Sequence, residues 1–152
     1  VGHVPAYYNA RLPPDARYLL SDATPLFPFG FGLSYTKFAY SKPRVTPEKI
    51  GSDGSAVVRV DVTNPGKRAA DEVVQLYVRD LVCSVTRPPS ELGGFARVHL
   101  EPGETRTVEL EVGFDQLACH DRTMRETVEP GDFEILVGPD SATLQSTRLT
   151  VD

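Results

Sequence analysis

Four segments of this chain alternate apolar and polar residues with a period of two, and three Pro-Gly turns lie among them. Ala56, Val58, Val60 and Val62 alternate with Val57, Arg59, Asp61 and Thr63. Val74, Leu76 and Val78 alternate with Gln75, Tyr77 and Arg79. Val108, Leu110 and Val112 follow the same rule, as do Phe133, Ile135 and Val137. Successive side chains of an extended chain point to opposite faces, so this spacing builds half-buried strands. The intervening turns are Asn64-Pro65-Gly66, Glu101-Pro102-Gly103 and Glu129-Pro130-Gly131. Proline presets the first corner of such a turn and glycine accepts positive φ at the second. With further strands over Phe38–Val45, Gly94–Leu100 and Thr147–Val151, about seven strands with turn signals between them predict an antiparallel two-sheet sandwich. Val58, Val60, Leu76, Val78, Val108, Leu110, Phe133, Ile135 and Val137 should face its interior. Only Phe114–Ala118 reads as a turn of helix.

The pattern begins near residue 38. Before it stand Pro13, Pro14, Pro25, Pro28, Gly30 and Gly32, and at most one strand, over Val1–Tyr8. A stretch this short cannot hold a core of its own. It carries Tyr7, Tyr8, Tyr18, Phe27, Phe29, Phe31 and Tyr35, which must pack on something larger. Pro25 to Thr36 therefore reads as a stiff aromatic strap between two bodies.

Composition narrows the function. Hydrophobic residues make up 40% and charged residues 24% of 152, which suits a folded soluble domain. The formal net charge of -5 makes nucleic acid and anionic membranes poor partners. No apolar run reaches the length of a membrane span. No secretory leader is visible, but a chain opening on Val1 suggests a longer precursor. Neither Asn9 nor Asn64 sits in a glycosylation sequon.

Reactive groups are sparse. His3, His99 and His120 have no partner at helical spacing. Cys119-His120-Asp121 resembles a ligand cluster, but neighbours on a strand face opposite ways, and Cys83 is the only obvious addition. Two free thiols and no metal are expected. Ser34, Ser84 and Ser90 lack the context of a nucleophile elbow. Among 21 Asp and Glu, Asp53, Asp61, Glu109, Glu111, Glu129 and Asp132 fall on turns or outward strand positions, and nothing singles out the carboxylate pair a glycosidase requires.

The strap Pro25-Leu26-Phe27-Pro28-Phe29-Gly30-Phe31-Gly32-Leu33-Ser34-Tyr35-Thr36 resembles the PLYPFGYGLSYT signature of family 3 glycoside hydrolases, the β-glucosidases and β-xylosidases. Only Phe27 and Phe31 depart from it. Other landmarks follow in order. Val1-Gly2-His3-Val4-Pro5 with Tyr7-Tyr8-Asn9 looks like the last strand of that family's α/β domain. Val62-Thr63-Asn64-Pro65-Gly66-Lys67 is similar to its VTNTGKR turn, and Val74-Gln75-Leu76-Tyr77-Val78 to its VVQLYV strand. Ser84, Arg87-Pro88, Glu91-Leu92 and Gly94-Phe95 resemble its SxxRPxxELxGF segment.

The resemblance implies an all-β, fibronectin type III-like (immunoglobulin-like) sandwich over residues 38–152. Residues 1–37 would be the C-terminal strand and linker of the preceding α/β domain. The family's aspartate nucleophile and glutamate acid/base lie upstream, so no catalytic, cofactor-binding or metal residue is carried over. The implied role is accessory, bracing the catalytic domains of an enzyme acting on β-glucosides or β-xylosides. Partners would be those upstream domains of the same polypeptide and, through the parent enzyme, a β-linked oligosaccharide or aryl glycoside. Family resemblance favours a periplasmic or secreted enzyme, with the cytoplasm left open. A stand-alone carbohydrate-binding or protein-interaction module is the rival reading. The absence of tryptophan and the few aromatics after residue 40 make poor material for a sugar platform.

Overall fold

The structure is a computed structural model and describes residues 7–9 and 25–152. The strand expected over Val1–Tyr8 lies largely outside the described residues, as do His3 and Tyr18.

Two sheets face each other. One contains β1 (Ala39–Tyr40), β2 (Arg44–Thr46), β4 (Ala56–Thr63) and β7 (Thr105–Val112), with β4 pairing antiparallel to the other three. The other runs β3 (Lys49–Ile50), β11 (Gln145–Val151), β10 (Gly131–Gly138), β5 (Ala70–Asp80), β6 (Glu91–Leu100). Every pair is antiparallel except β3 with β11, which is parallel. One turn of helix, α1 (Phe114–Leu117), and a small hairpin of β8 (Cys119–His120) and β9 (Glu126–Thr127) complete the elements among the described residues.

The strand expected over Phe38–Val45 is broken into β1 and β2. Pro43 lies in the gap, and a proline offers no amide to a ladder. The chain then changes sheets, so β3 completes the edge beside β11.

The core lies where the alternation predicts. In β4 every second residue is buried, and Val58, Val60 and Val62 are sealed from solvent. They meet Leu76, Val78, Phe133, Ile135 and Val137 of the opposite sheet in one cluster. Fully burying each such side chain is worth about 1.5–3 kcal/mol. Leu110 is only partly buried and packs at the margin of that cluster.

Strand β5 breaks the rule of one wet face. Val74, Gln75, Leu76, Tyr77 and Val78 are buried consecutively. Gln75 and Tyr77 point away from the sandwich core, so something else must cover them.

The turns interlock. Asn64 Nδ2 donates to the carbonyls of Arg68 (2.8 Å) and Leu100 (3.0 Å), while its Oδ1 accepts from Gly66 N and Thr36 Oγ1. Its backbone oxygen accepts from Gly103 N at 2.7 Å. Asn64, through side chain and backbone, thus binds the Asn64-Pro65-Gly66 and Glu101-Pro102-Gly103 turns together and ties both to the end of the strap.

Candidate functional site: the strap and the face it covers

The cover over Gln75 and Tyr77 is the strap. Phe31 N donates to Pro28 O at 3.0 Å, closing a tight turn. The third residue of that turn is Gly30, with φ +80, a conformation glycine accepts without steric cost. A Cβ on Gly30 would overlap the Gln75 amide. The turn therefore sits directly on β5, and only glycine permits that approach.

Polar contacts fix it there. Gln75 Nε2 donates to Gly30 O at 3.1 Å and to Pro139 O at 2.5 Å. Gln75 Oε1 accepts from Tyr77 Oη at 2.6 Å. Ser141 N donates to Phe29 O at 2.9 Å. Gln75 is 5% exposed and Tyr77 fully buried. Burial, together with Tyr8 and Asp140 nearby, pushes the Tyr77 phenol up to about 12. Tyr8 stacks on Phe29 with ring centroids 4.2 Å apart and meets Tyr77 edge-on at 5.9 Å. Its hydroxyl accepts from Leu92 N at 3.0 Å.

Much of the strap is bare. Leu26, Phe27, Phe31, Leu33 and Tyr35 are exposed, Leu33 and Tyr35 at 92% and 90%. Phe27 and Phe31 lean on each other at 5.2 Å, and the Arg68 guanidinium lies 5.9 Å from the Tyr35 ring. Apolar side chains gathered on one segment like this mark a contact surface.

Beneath the strap's C-terminal half is a cleft of about 420 Å³ lined by Ser34, Lys37, Tyr40, Glu72 and Gln145, among others. Tyr40 Oη donates to Glu72 Oε1 at 2.7 Å. Burial raises the Glu72 pKa, the Tyr40 hydrogen bond opposes that rise, and the negative charge of Asp140 adds to it. Asp140 accepts from the backbone amides of Ala142 and Thr143. Both carboxylates thus have structural partners.

The other residues singled out in the sequence are scattered. His99 is on the exposed edge strand β6 beside Asp71, 2.5 Å away. His120 is exposed, and Asp121 Oδ1 accepts from the backbone amides of Thr123 and Arg125 to shape the β8–β9 turn. Cys83 and Cys119 are free thiols in contact. Ser84 donates to Glu129 rather than meeting a histidine. Sequence reasoning passed over Gln75 and Tyr77 as outward positions. The match of Val74-Gln75-Leu76-Tyr77-Val78 to a family strand, in a chain with a Gly-rich strap, is the signal that could have found them.

Comparison with known proteins agrees with this architecture. Residues 72–141 match the fibronectin type III-like domain family. A β-xylosidase of Formosa agariphila is 48% identical over 99% of this chain, and a periplasmic β-glucosidase of Salmonella typhimurium is 37% identical over 93%. The chain covers 22% and 20% of those two relatives, about a fifth of their length. Among solved structures, a β-glucosidase from Erythrobacter marinus superposes with a TM-score of 0.93 at 45% identity, over 99% of this chain and 20% of that one. A β-glucosidase from Listeria innocua, in complex with isofagomine, superposes at 0.88 with 29% identity, over 99% of this chain and 22% of that one.

Proposed function

The chain belongs to the C-terminal, fibronectin type III-like region of the family 3 glycoside hydrolases, and from that premise we propose that it is a non-catalytic brace for the catalytic domains of a β-glucoside- or β-xyloside-hydrolysing enzyme. One observation carries the reading: the strap is hydrogen-bonded to the sandwich through one side and presents Leu26, Phe27, Phe31, Leu33 and Tyr35 on the other. A segment anchored on one face and apolar on the other joins two bodies. On this reading residues 1–37 complete the neighbouring α/β domain and 38–152 form the sandwich that supports it. The relatives' names supply the substrate class, and the β-linked glycoside is bound by the upstream domains.

Removal tests this. The longer polypeptide truncated after residue 37 should unfold at a temperature several degrees below that of the intact enzyme. The chain alone should not hydrolyse chromogenic β-glucosides or β-xylosides above the rate in buffer. Turnover by the chain alone, abolished by replacing one of its own carboxylates, would overturn the proposal.

A further inference from the structure

At the end of the sandwich that holds the β8–β9 hairpin, three ligand-bearing side chains from distant segments converge. Cys83 lies in the loop after β5, Cys119 opens β8, and Glu129 lies in the turn between β9 and β10. The two sulfurs are 3.7 Å apart, and both lie within 4.8 Å of a Glu129 carboxylate oxygen and of each other. Two thiolates on a tetrahedral zinc ion, each bonded at about 2.3 Å, sit about 3.8 Å apart. The sulfurs are already at that separation. Glu129 is oriented as a ligating carboxylate usually is, with Ser84 donating to it from its amide (2.8 Å) and its hydroxyl.

We propose that Cys83, Cys119 and Glu129 form a binding site for a thiophilic divalent cation of the zinc class, with water as the fourth ligand. Cys119 is buried, while Cys83 and Glu129 are partly exposed, so the ion has an inner wall of sulfur and an open side facing solvent. Soft thiolates select such a cation over calcium or magnesium, which prefer all-oxygen cages. Binding balances as one dication plus two thiols and one carboxylate giving a dithiolate–carboxylate complex and two protons. Each thiol must give up its proton as the ion enters, so affinity rises with pH. The bound ion would tie the loop after β5 to both strand β8 and the β9–β10 turn.

The test is titration of the reduced, metal-free 152-residue chain with zinc, and separately with cadmium, whose thiolate complexes absorb in the ultraviolet. One ion should bind per chain, with release of about two protons and the cadmium–thiolate absorption band. C83S and C119S should each lose at least about 100-fold in affinity and E129Q about 10-fold, because even outer-shell partners of a metal contribute 10–100-fold. Circular dichroism will confirm that the variants fold. Failure of the reduced chain to saturate with either ion would overturn the proposal, as would undiminished binding by folded C83S. So would a pair that closes to a disulfide with a small-molecule disulfide while the reduced chain ignores zinc.

Discussion

Gln75 joins the strap to the sandwich through a single side chain. Its amide donates to Gly30 O and Pro139 O and accepts from Tyr77 Oη, all at a buried site. An amide in such a place stabilises because each group has a partner, and its loss leaves others without one. Gln75→Leu keeps the bulk but orphans two carbonyls and a phenol. It should cost at least about 3 kcal/mol in urea unfolding, at about 1 kcal/mol or more for each of the three groups left unpaired. Tyr77→Phe removes only a hydroxyl and should cost about 1 kcal/mol. A Gln75→Leu chain as stable as the parent would show that the strap is not held this way. Arg87 plays a comparable part elsewhere. Its guanidinium donates to Leu117 O, Glu91 and Asp80, which fastens the 81–90 loop against α1 and explains why arginine and glutamate stand four residues apart there.

At the scale of elements, we expect strap and sandwich to be separable. The Pro28–Phe31 turn reaches β5 only because Gly30 lacks a Cβ and adopts positive φ. An alanine in that conformation costs roughly 1–2 kcal/mol before any overlap with Gln75. Gly30→Ala should therefore lift the turn while leaving the two sheets intact. Hydrogen exchange reads this directly. The Ser141 amide, bonded to Phe29 O, should lose protection, while the amides of Val58 to Val62 keep theirs. Equal loss at both places would mean that strap and sandwich unfold as one unit. Much of this architecture was legible in the sequence. The alternation in β4, β7 and β10 reports burial on one face only, and there the inward residues are the expected ones, with Leu110 at the margin. It failed in β5 because the period-two rule assumes that the second face meets water. The strap that covers Gln75 and Tyr77 comes from 45 residues upstream, and no local pattern encodes that contact. The meeting of Cys83, Cys119 and Glu129 was illegible for the same reason, since three segments distant in sequence have to fold before the ligands meet.

Across the whole molecule, burial is uneven. The sandwich closes its own core, and every buried side-chain nitrogen and oxygen among the described residues has a hydrogen-bond partner. The strap leaves Phe27 at 64% and Tyr35 at 90% exposure. Covering each such ring is worth about 1.5–3 kcal/mol, a large fraction of a domain's total stability. A bare apolar strap on a well-closed sandwich is the form expected of the proposed brace apart from the domains it would join. Side-chain oxidative footprinting tests that claim most directly, comparing the chain alone with the longer polypeptide that carries the catalytic domains. The account predicts that Phe27, Phe31 and Tyr35 label readily in the chain alone and several-fold less in the longer polypeptide, while Phe133 labels in neither. Equal labelling of the strap aromatics in both would contradict it.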